Sequence, residues 1–383
     1  MIVSATRNTT LSQPDFLELA APGVRALTPY APGKLIAELE REYGISNIIK
    51  LASNENPLGP SPYALAAARA ALVDSALYPD GAGFELKAAL ARKHAVDTNC
   101  ITLGNGSSEV LELVARAFLT PGSEAVYDQH SFAMYPIITQ AVGATGRVAK
   151  AHDGTRGPRY GHDLVALCAA VNANTRVVFI ANPNNPTGTW LPSTQLEAFI
   201  RDLPEQVIVV VDEAYFEYVA EPDYPDATRW LEQYPNLIVT RTFSKAYALA
   251  GLRAGYALSH PTVADLLNRV RQPFNLNSVA QAAARAALDD TAHLAAAIQV
   301  NREGMQQLTD ACAELGLDSI PSVGNFICID VGRPGAAVYD GLLRAGVIVR
   351  PVANYGLPNH LRVTVGTTVQ NARFIEALTR LLA

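Results

Sequence analysis

The chain of 383 residues carries 30 Lys+Arg against 36 Asp+Glu, a formal charge of −6, with 49% hydrophobic and 17% charged residues. Such a length allows two to three domains and a core large enough to fold without disulfides or a structural metal. The composition excludes collagen-like, coiled-coil and disordered classes, and the absence of a basic stripe argues against nucleic acid as a partner.

Residues 1–16 are polar and lack the apolar centre of a signal peptide, so a soluble, cytoplasmic protein is expected. Pro32-Gly33 opens a helix predicted over 34–43 and Gly44 stops it. A loop rich in Pro, Gly and Asn over 53–62 leads into an Ala-rich helix over 62–74. From about residue 100, short β-rich runs (125–127, 177–181, 207–211, 237–242 and 255–258) alternate with helices such as 108–119 and 194–202. The apolar run 207–211 is too short to span a bilayer, and no membrane partner is expected. Apolar strands separated by helices imply a mostly parallel sheet covered on both faces. Longer helices follow over 282–288 and 294–315. From about 318 the rhythm changes, with strands over 325–331, 347–350 and 361–365 and helices over 336–345 and 369–382. The expected architecture is α/β without internal repeats. Residues 1–50 form an arm and part of a small domain, 51–290 a large ligand-binding domain, and 291–383 a smaller α+β domain. Cys100, Cys168, Cys312 and Cys328 are dispersed without zinc spacing, so reduced, buried thiols and no metal are expected.

Six lysines are present, at 34, 50, 87, 93, 150 and 245. Lys245 stands out because it follows a strand in an apolar, Gly-punctuated segment, Thr240-Arg-Thr-Phe-Ser-Lys-Ala-Tyr-Ala-Leu-Ala-Gly-Leu-Arg-Ala-Gly255. Alone it would read as a surface charge. Thr242, Ser244 and Arg253 beside it could hold a phosphate, and an amine next to a bound anionic cofactor suits a covalent-catalysis lysine. Asp212 ends the apolar run Val207-Ile-Val-Val-Val-Asp212, where a carboxylate at the C-terminal end of a parallel strand faces the ligand crevice. A helix cap is the plainer alternative. Tyr215 could share that crevice or simply pack. Asn182-Pro-Asn-Asn-Pro-Thr-Gly188 makes a rigid turn after a strand, able to present an amide. Gly104-Asn-Gly-Ser-Ser-Glu109 opens a helix whose N-terminal amides could bind an anion, although it lacks the dinucleotide fingerprint. Arg350 and Arg362 lie in apolar strands, where each needs an ion-pair partner or an anionic ligand.

Taken in this order, these segments resemble the fold-type-I pyridoxal-phosphate (PLP) aminotransferases over essentially the whole chain. They are most similar to the histidinol-phosphate aminotransferase family. Leu27-Thr-Pro-Tyr30, Ser53-Asn-Glu-Asn-Pro57, Tyr78-Pro-Asp80, Asp212-Glu-Ala-Tyr215 and Tyr355-Gly-Leu-Pro add to the segments above. The resemblance implies that Lys245 is joined to the cofactor aldehyde and that Asp212 pairs with its pyridine nitrogen. Asn185 and Tyr215 donate to the ring hydroxyl, and Phe132 stacks on the ring. Ser107, Ser108, Thr242, Ser244 and Arg253 hold the phosphate, with Tyr78 reaching it from the other subunit of a homodimer. Tyr30, Asn54, Arg350 and Arg362 hold the substrate. The implied reaction converts histidinol phosphate and 2-oxoglutarate to imidazole acetol phosphate and glutamate in histidine biosynthesis. An aromatic amino-acid aminotransferase and a PLP decarboxylase of a phosphorylated amino acid share these motifs and are the alternatives.

Overall fold

The structure, a computed structural model, describes residues 15–382, so most of the polar N-terminal stretch lies outside the described residues. Thirteen strands are described. In chain order they are β1 (Ile49–Lys50), β2 (Ile101–Gly104), β3 (Glu124–Asp128), β4 (Thr145–Ala149), β5 (Thr175–Ala181), β6 (Ile208–Asp212), β7 (Leu237–Thr242), β8 (Gly255–Ser259), β9 (Ser319–Ile320), β10 (Phe326–Asp330), β11 (Val347–Ile348), β12 (Arg350–Pro351) and β13 (His360–Thr364).

A seven-stranded sheet runs in the order β2-β8-β7-β6-β5-β3-β4. The pairs from β7 through to β4 are parallel, while β8 is antiparallel to both β7 and β2. Val209, Val210 and Val211 of the central strand β6 are all buried, because helices cover both faces and alternation would put a polar side chain into a core. The two cores lie on opposite faces: Val209, Val211 and Val239 join one, Val210 and Ile238 the other. Two strands had no apolar signature to announce them. Short β2 reads Ile-Thr-Leu-Gly, and edge strand β4 exposes four of its five residues.

A second, antiparallel sheet runs β12-β13-β10-β9, backed by the 24-residue helix Thr291–Glu314 and by Thr368–Leu382. The single strand expected over 347–350 is two. β11 pairs in parallel with β1, Ile49 opposite Val347, whereas β12 pairs with β13, Arg350 opposite Arg362. The chain changes sheets at Val349, and so residues near position 50 join the C-terminal layer. The helix expected over 34–43 spans Ile36–Tyr43 and is capped by Gly44, whose φ of 65° lies in the left-handed region glycine favours.

Cys312 and Cys328 are buried, as expected, but Cys100 is partly exposed and Cys168 is exposed. Helix Leu164–Ala170 buries only Leu167, and its neighbour Cys168 faces outward. Among the described residues no helix is long and apolar enough to cross a membrane.

Candidate active site

The topology brings the C-terminal ends of β2, β3, β5, β6 and β7 to one edge of the large sheet. Antiparallel β8 contributes its N-terminal end to the same edge. Loops from these ends, with the 30–33 and 52–54 segments and the second sheet, enclose a cavity of about 150 Å³. Fourteen of the fifteen residues expected at the site line it. Tyr78 does not: it is 82% exposed and stacks on Phe274 at 4.7 Å.

Lys245 donates from Nζ to the Ser53 carbonyl at 2.9 Å and lies 5.8 Å from the centre of the Tyr215 ring. Burial, with Arg362 nearby, pushes its pKa down to about 7. The neutral, nucleophilic amine is therefore accessible near neutrality. Asp212 is buried, and burial raises its carboxyl above the usual range, countered by two donors. Thr240 Oγ1 donates to Oδ1 at 2.9 Å and Tyr135 Oη to Oδ2 at 3.0 Å. Neither donor was singled out in the sequence. Tyr135, in helix Met134–Ala141, lies three residues after Phe132, and Thr240 is the cross-strand partner of Asp212 in the β6–β7 register. Next along the strand, Glu213 is paired with buried Arg241 at 2.7 Å, and Arg241 also reaches Asp226. Removing either member would strand a buried charge.

The anion cradle is built from backbone and glycine. Ser107 and Ser108 open helix Ser107–Phe118 after Gly106, whose φ is 81°. A Cβ at Gly106 would stand 2.4 Å from an Arg253 nitrogen, and one at Gly255 only 2.2 Å from the Ser107 amide. The absent side chains let Arg253 and β8 close against the helix N-terminus, where free N–H groups and the dipole favour an anion. Arg253 donates to Ser244 Oγ at 3.3 Å, and Thr242 Oγ1 accepts the Ser244 N–H at 3.1 Å. Phe132 lines the same cavity, its ring edge-on to Tyr135.

At the other end, Arg362 donates to Asn185 Oδ1 at 2.5 Å and to the Ala52 carbonyl at 2.7 Å, leaving its buried Nε without a partner. Asn185 is thus left with its NH₂ end for another group. Arg350 donates to the Ala31 carbonyl at 2.7 Å and lies 5.6 Å from the Tyr30 ring centre. Neither arginine makes an ion pair within 4 Å among the described residues, which removes the structural ion-pair explanation and leaves two guanidinium groups facing one cavity. Asn54 uses its Oδ1, backbone N–H and carbonyl within the protein and gives one Nδ2 hydrogen to Tyr215.

A group with a phosphate, an aromatic ring, a ring cation and an aldehyde meets a partner for each part here. These are the glycine-lined cradle, Phe132, Asp212 and the Lys245 amine. The described residues hold no cluster of three or more His, Cys, Asp or Glu side chains suited to a metal ion. A lysine of lowered pKa facing a buried carboxylate above an anion cradle, on a sheet with one reversed strand, is the apparatus of amino-group transfer, and the chain belongs to the class I and II aminotransferases, whose family model matches residues 46–378. Among curated proteins it is 62% identical to histidinol-phosphate aminotransferase 2 of Methylococcus capsulatus, over 95% of this chain and 98% of that one. It is 60% identical to the protein of the same name from Pseudomonas fluorescens, over 96% and 99%. Among solved structures it resembles histidinol-phosphate aminotransferase from Sinorhizobium meliloti in complex with pyridoxal-5'-phosphate. That match has a TM-score of 0.87 and 30% identity, covering 95% of this chain and 97% of that one.

Proposed function

We propose that the chain catalyses PLP-dependent transfer of an amino group between histidinol phosphate and 2-oxoglutarate, in histidine biosynthesis. The observation that carries this reading is the convergence in one cavity of Lys245, Asp212 and the unpaired Arg350 and Arg362, in a chain 62% identical to a histidinol-phosphate aminotransferase. When bound, PLP supplies an aldehyde for the amine and an electron-withdrawing pyridinium that stabilises charge at the carbon losing its proton.

Lys245 would hold the cofactor through its amine and is placed to move the proton off the substrate carbon. It must be neutral to do so, which its lowered pKa allows. Asp212, whose anionic form is favoured by the hydrogen bonds from Tyr135 and Thr240, would hold a proton on the ring nitrogen. Tyr215 and the NH₂ end of Asn185 would serve the ring oxygen, and Phe132 would cover the ring. Ser107, Ser108, Thr242, Ser244 and Arg253 bind the phosphate. Glutamate and histidinol phosphate carry different anionic groups, and a guanidinium fork pairs with carboxylate and phosphate alike. Arg350 and Arg362, with Tyr30 and Asn54, can therefore serve both substrates in turn, giving ping-pong kinetics.

The test is an amino-donor panel with 2-oxoglutarate as acceptor. The expected result is a kcat/KM for histidinol phosphate at least about tenfold above that for phenylalanine. A phosphate of charge about −2 pairs more strongly with two guanidinium groups than a singly charged carboxylate does, by about 1.4 kcal/mol or more. Preference for phenylalanine would make the enzyme an aromatic aminotransferase, and carbon dioxide release without 2-oxoglutarate would make it a decarboxylase.

A further inference from the structure

Tyr215 can donate its hydroxyl proton to a cofactor only if no protein group already takes it. Its neighbour on the protein side is Asn54, at 2.8 Å. A side-chain amide has a donor end and an acceptor end of nearly equal shape, so what matters is which end faces Tyr215. Thr364, on β13, decides this. The Asn54 backbone N–H can only donate, and it donates to Thr364 Oγ1 at 2.9 Å. The threonine's own proton is then directed to Asn54 Oδ1, 3.2 Å away. With Oδ1 engaged there, Nδ2 faces Tyr215 and the tyrosine oxygen accepts. Asn325 Nδ2 donates to the Asn54 carbonyl at 3.0 Å, holding the backbone in its left-handed conformation, φ 56°. Asn54, Thr364, Asn325 and Tyr215 are all at most 5% exposed, so water does not offer an alternative set of partners.

We propose that Thr364 is a positioning residue that sets the hydrogen-bond polarity of the chain Asn54 N–H to Thr364 to Asn54 amide to Tyr215, so that the Tyr215 proton points into the cofactor site. The inference rests on the reading of Tyr215 as a donor to the cofactor's ring oxygen. Thr364 lies two residues from Arg362, and side chains two apart share a face of a strand. That one face of β13 thereby holds both expected ring-oxygen donors, Asn185 through Arg362 and Tyr215 through Thr364 and Asn54. The charged and titratable groups that face Tyr215 are Lys245, Arg362, Asp212, Tyr30, Tyr135 and Tyr218. None of these is altered by a substitution at 364.

A donor at the ring oxygen stabilises negative charge there and lowers the proton affinity of the conjugated nitrogen, so losing it raises the pH midpoint of the visible absorbance band. The experiment titrates that band with pH in purified holoenzyme, and records melting temperature and bound PLP for each variant. Tyr215→Phe is expected to raise the midpoint, and Thr364→Val to raise it by half or more of that shift. The double variant should add nothing further, and Thr364→Ser, which keeps the hydroxyl, should restore the wild-type midpoint. A wild-type midpoint in Thr364→Val, with Tyr215→Phe shifted, overturns the role of Thr364 and leaves the reading of Tyr215 standing. A wild-type midpoint in Tyr215→Phe overturns that reading itself. Should Thr364→Val not fold, Thr364→Ala decides the matter. It removes the hydroxyl without adding bulk or charge, so the same upward shift is expected, and no shift overturns the proposal.

Discussion

An amine with an ordinary pKa of 10.5 would be almost wholly protonated at neutrality and useless as a nucleophile. Lys245 escapes this because burial and Arg362 disfavour its charged form, lowering its pKa to about 7. Capture of PLP by the apoprotein, followed by absorbance, should rise with pH through a midpoint near 7. A midpoint near 10 would show an exposed lysine. The linkage runs in the same direction. The unfolded chain binds more protons than the folded one between about pH 7 and 10.5, so this group makes the apoprotein more stable as pH rises through that window. Lys245→Ala should abolish the absorbance band and reduce turnover about 10⁴-fold, the upper end of what a positioned proton-transfer group contributes. Chemical type and sequence neighbourhood were sufficient to single out Lys245, Asp212 and the two arginines. Tyr135 and Thr240 were not legible, because a tyrosine after an aromatic and a threonine in a strand are ordinary core residues until the register places them on Asp212.

At the scale of the element, the anion cradle depends on how closely β8 approaches the start of helix Ser107–Phe118. Gly255 sits where these meet, opposite Gly104 on one side and Thr242 on the other. A Cβ there would lie 2.2 Å from the Ser107 amide and 2.5 Å from the Gly106 carbonyl carbon, both backbone atoms that cannot rotate away. Gly255→Ala should therefore weaken PLP binding at least about tenfold and cost roughly 1–3 kcal/mol of stability, measured by PLP titration and thermal unfolding. Unchanged PLP affinity would show that the cradle is not the phosphate site. The strands with continuous apolar runs, β3, β5, β6 and β7, were legible within a residue or two, since burial on both faces leaves no other composition. Edge strand β4 and the division of 347–350 between two sheets were not. Exposure removes the apolar signal in the first case, and in the second a run of Val and Ile suits either sheet equally.

For the molecule as a whole, a net charge of −6 coexists with a cavity lined by Arg253, Arg350 and Arg362, so the attraction for an anionic substrate is local to the site. Leu72, Val73, Leu77, Tyr78, Phe84 and Phe274 are exposed apolar side chains, and Phe274 stacks on Tyr78. An exposed stacked aromatic pair suits contact with a partner surface. The resemblance to the aminotransferases implies a homodimer in which Tyr78 would reach the phosphate of the partner's cofactor. Tyr78→Phe should weaken PLP binding about tenfold, the worth of one hydrogen bond to a charged group, while leaving the dimer intact by light scattering. Unaltered affinity would count against that contact. Through local chemistry, the amino-acid sequence alone determined the alternation of strand and helix, the reactive lysine, the acid at a strand end and the phosphate-suited glycines and hydroxyls. These depend on residue type and on neighbours a few positions away. Only the tertiary structure decided which strands are neighbours, which amide end faces Tyr215, and what supports Asp212. Those contacts join residues 28 to 310 positions apart and exist only once the two sheets have packed.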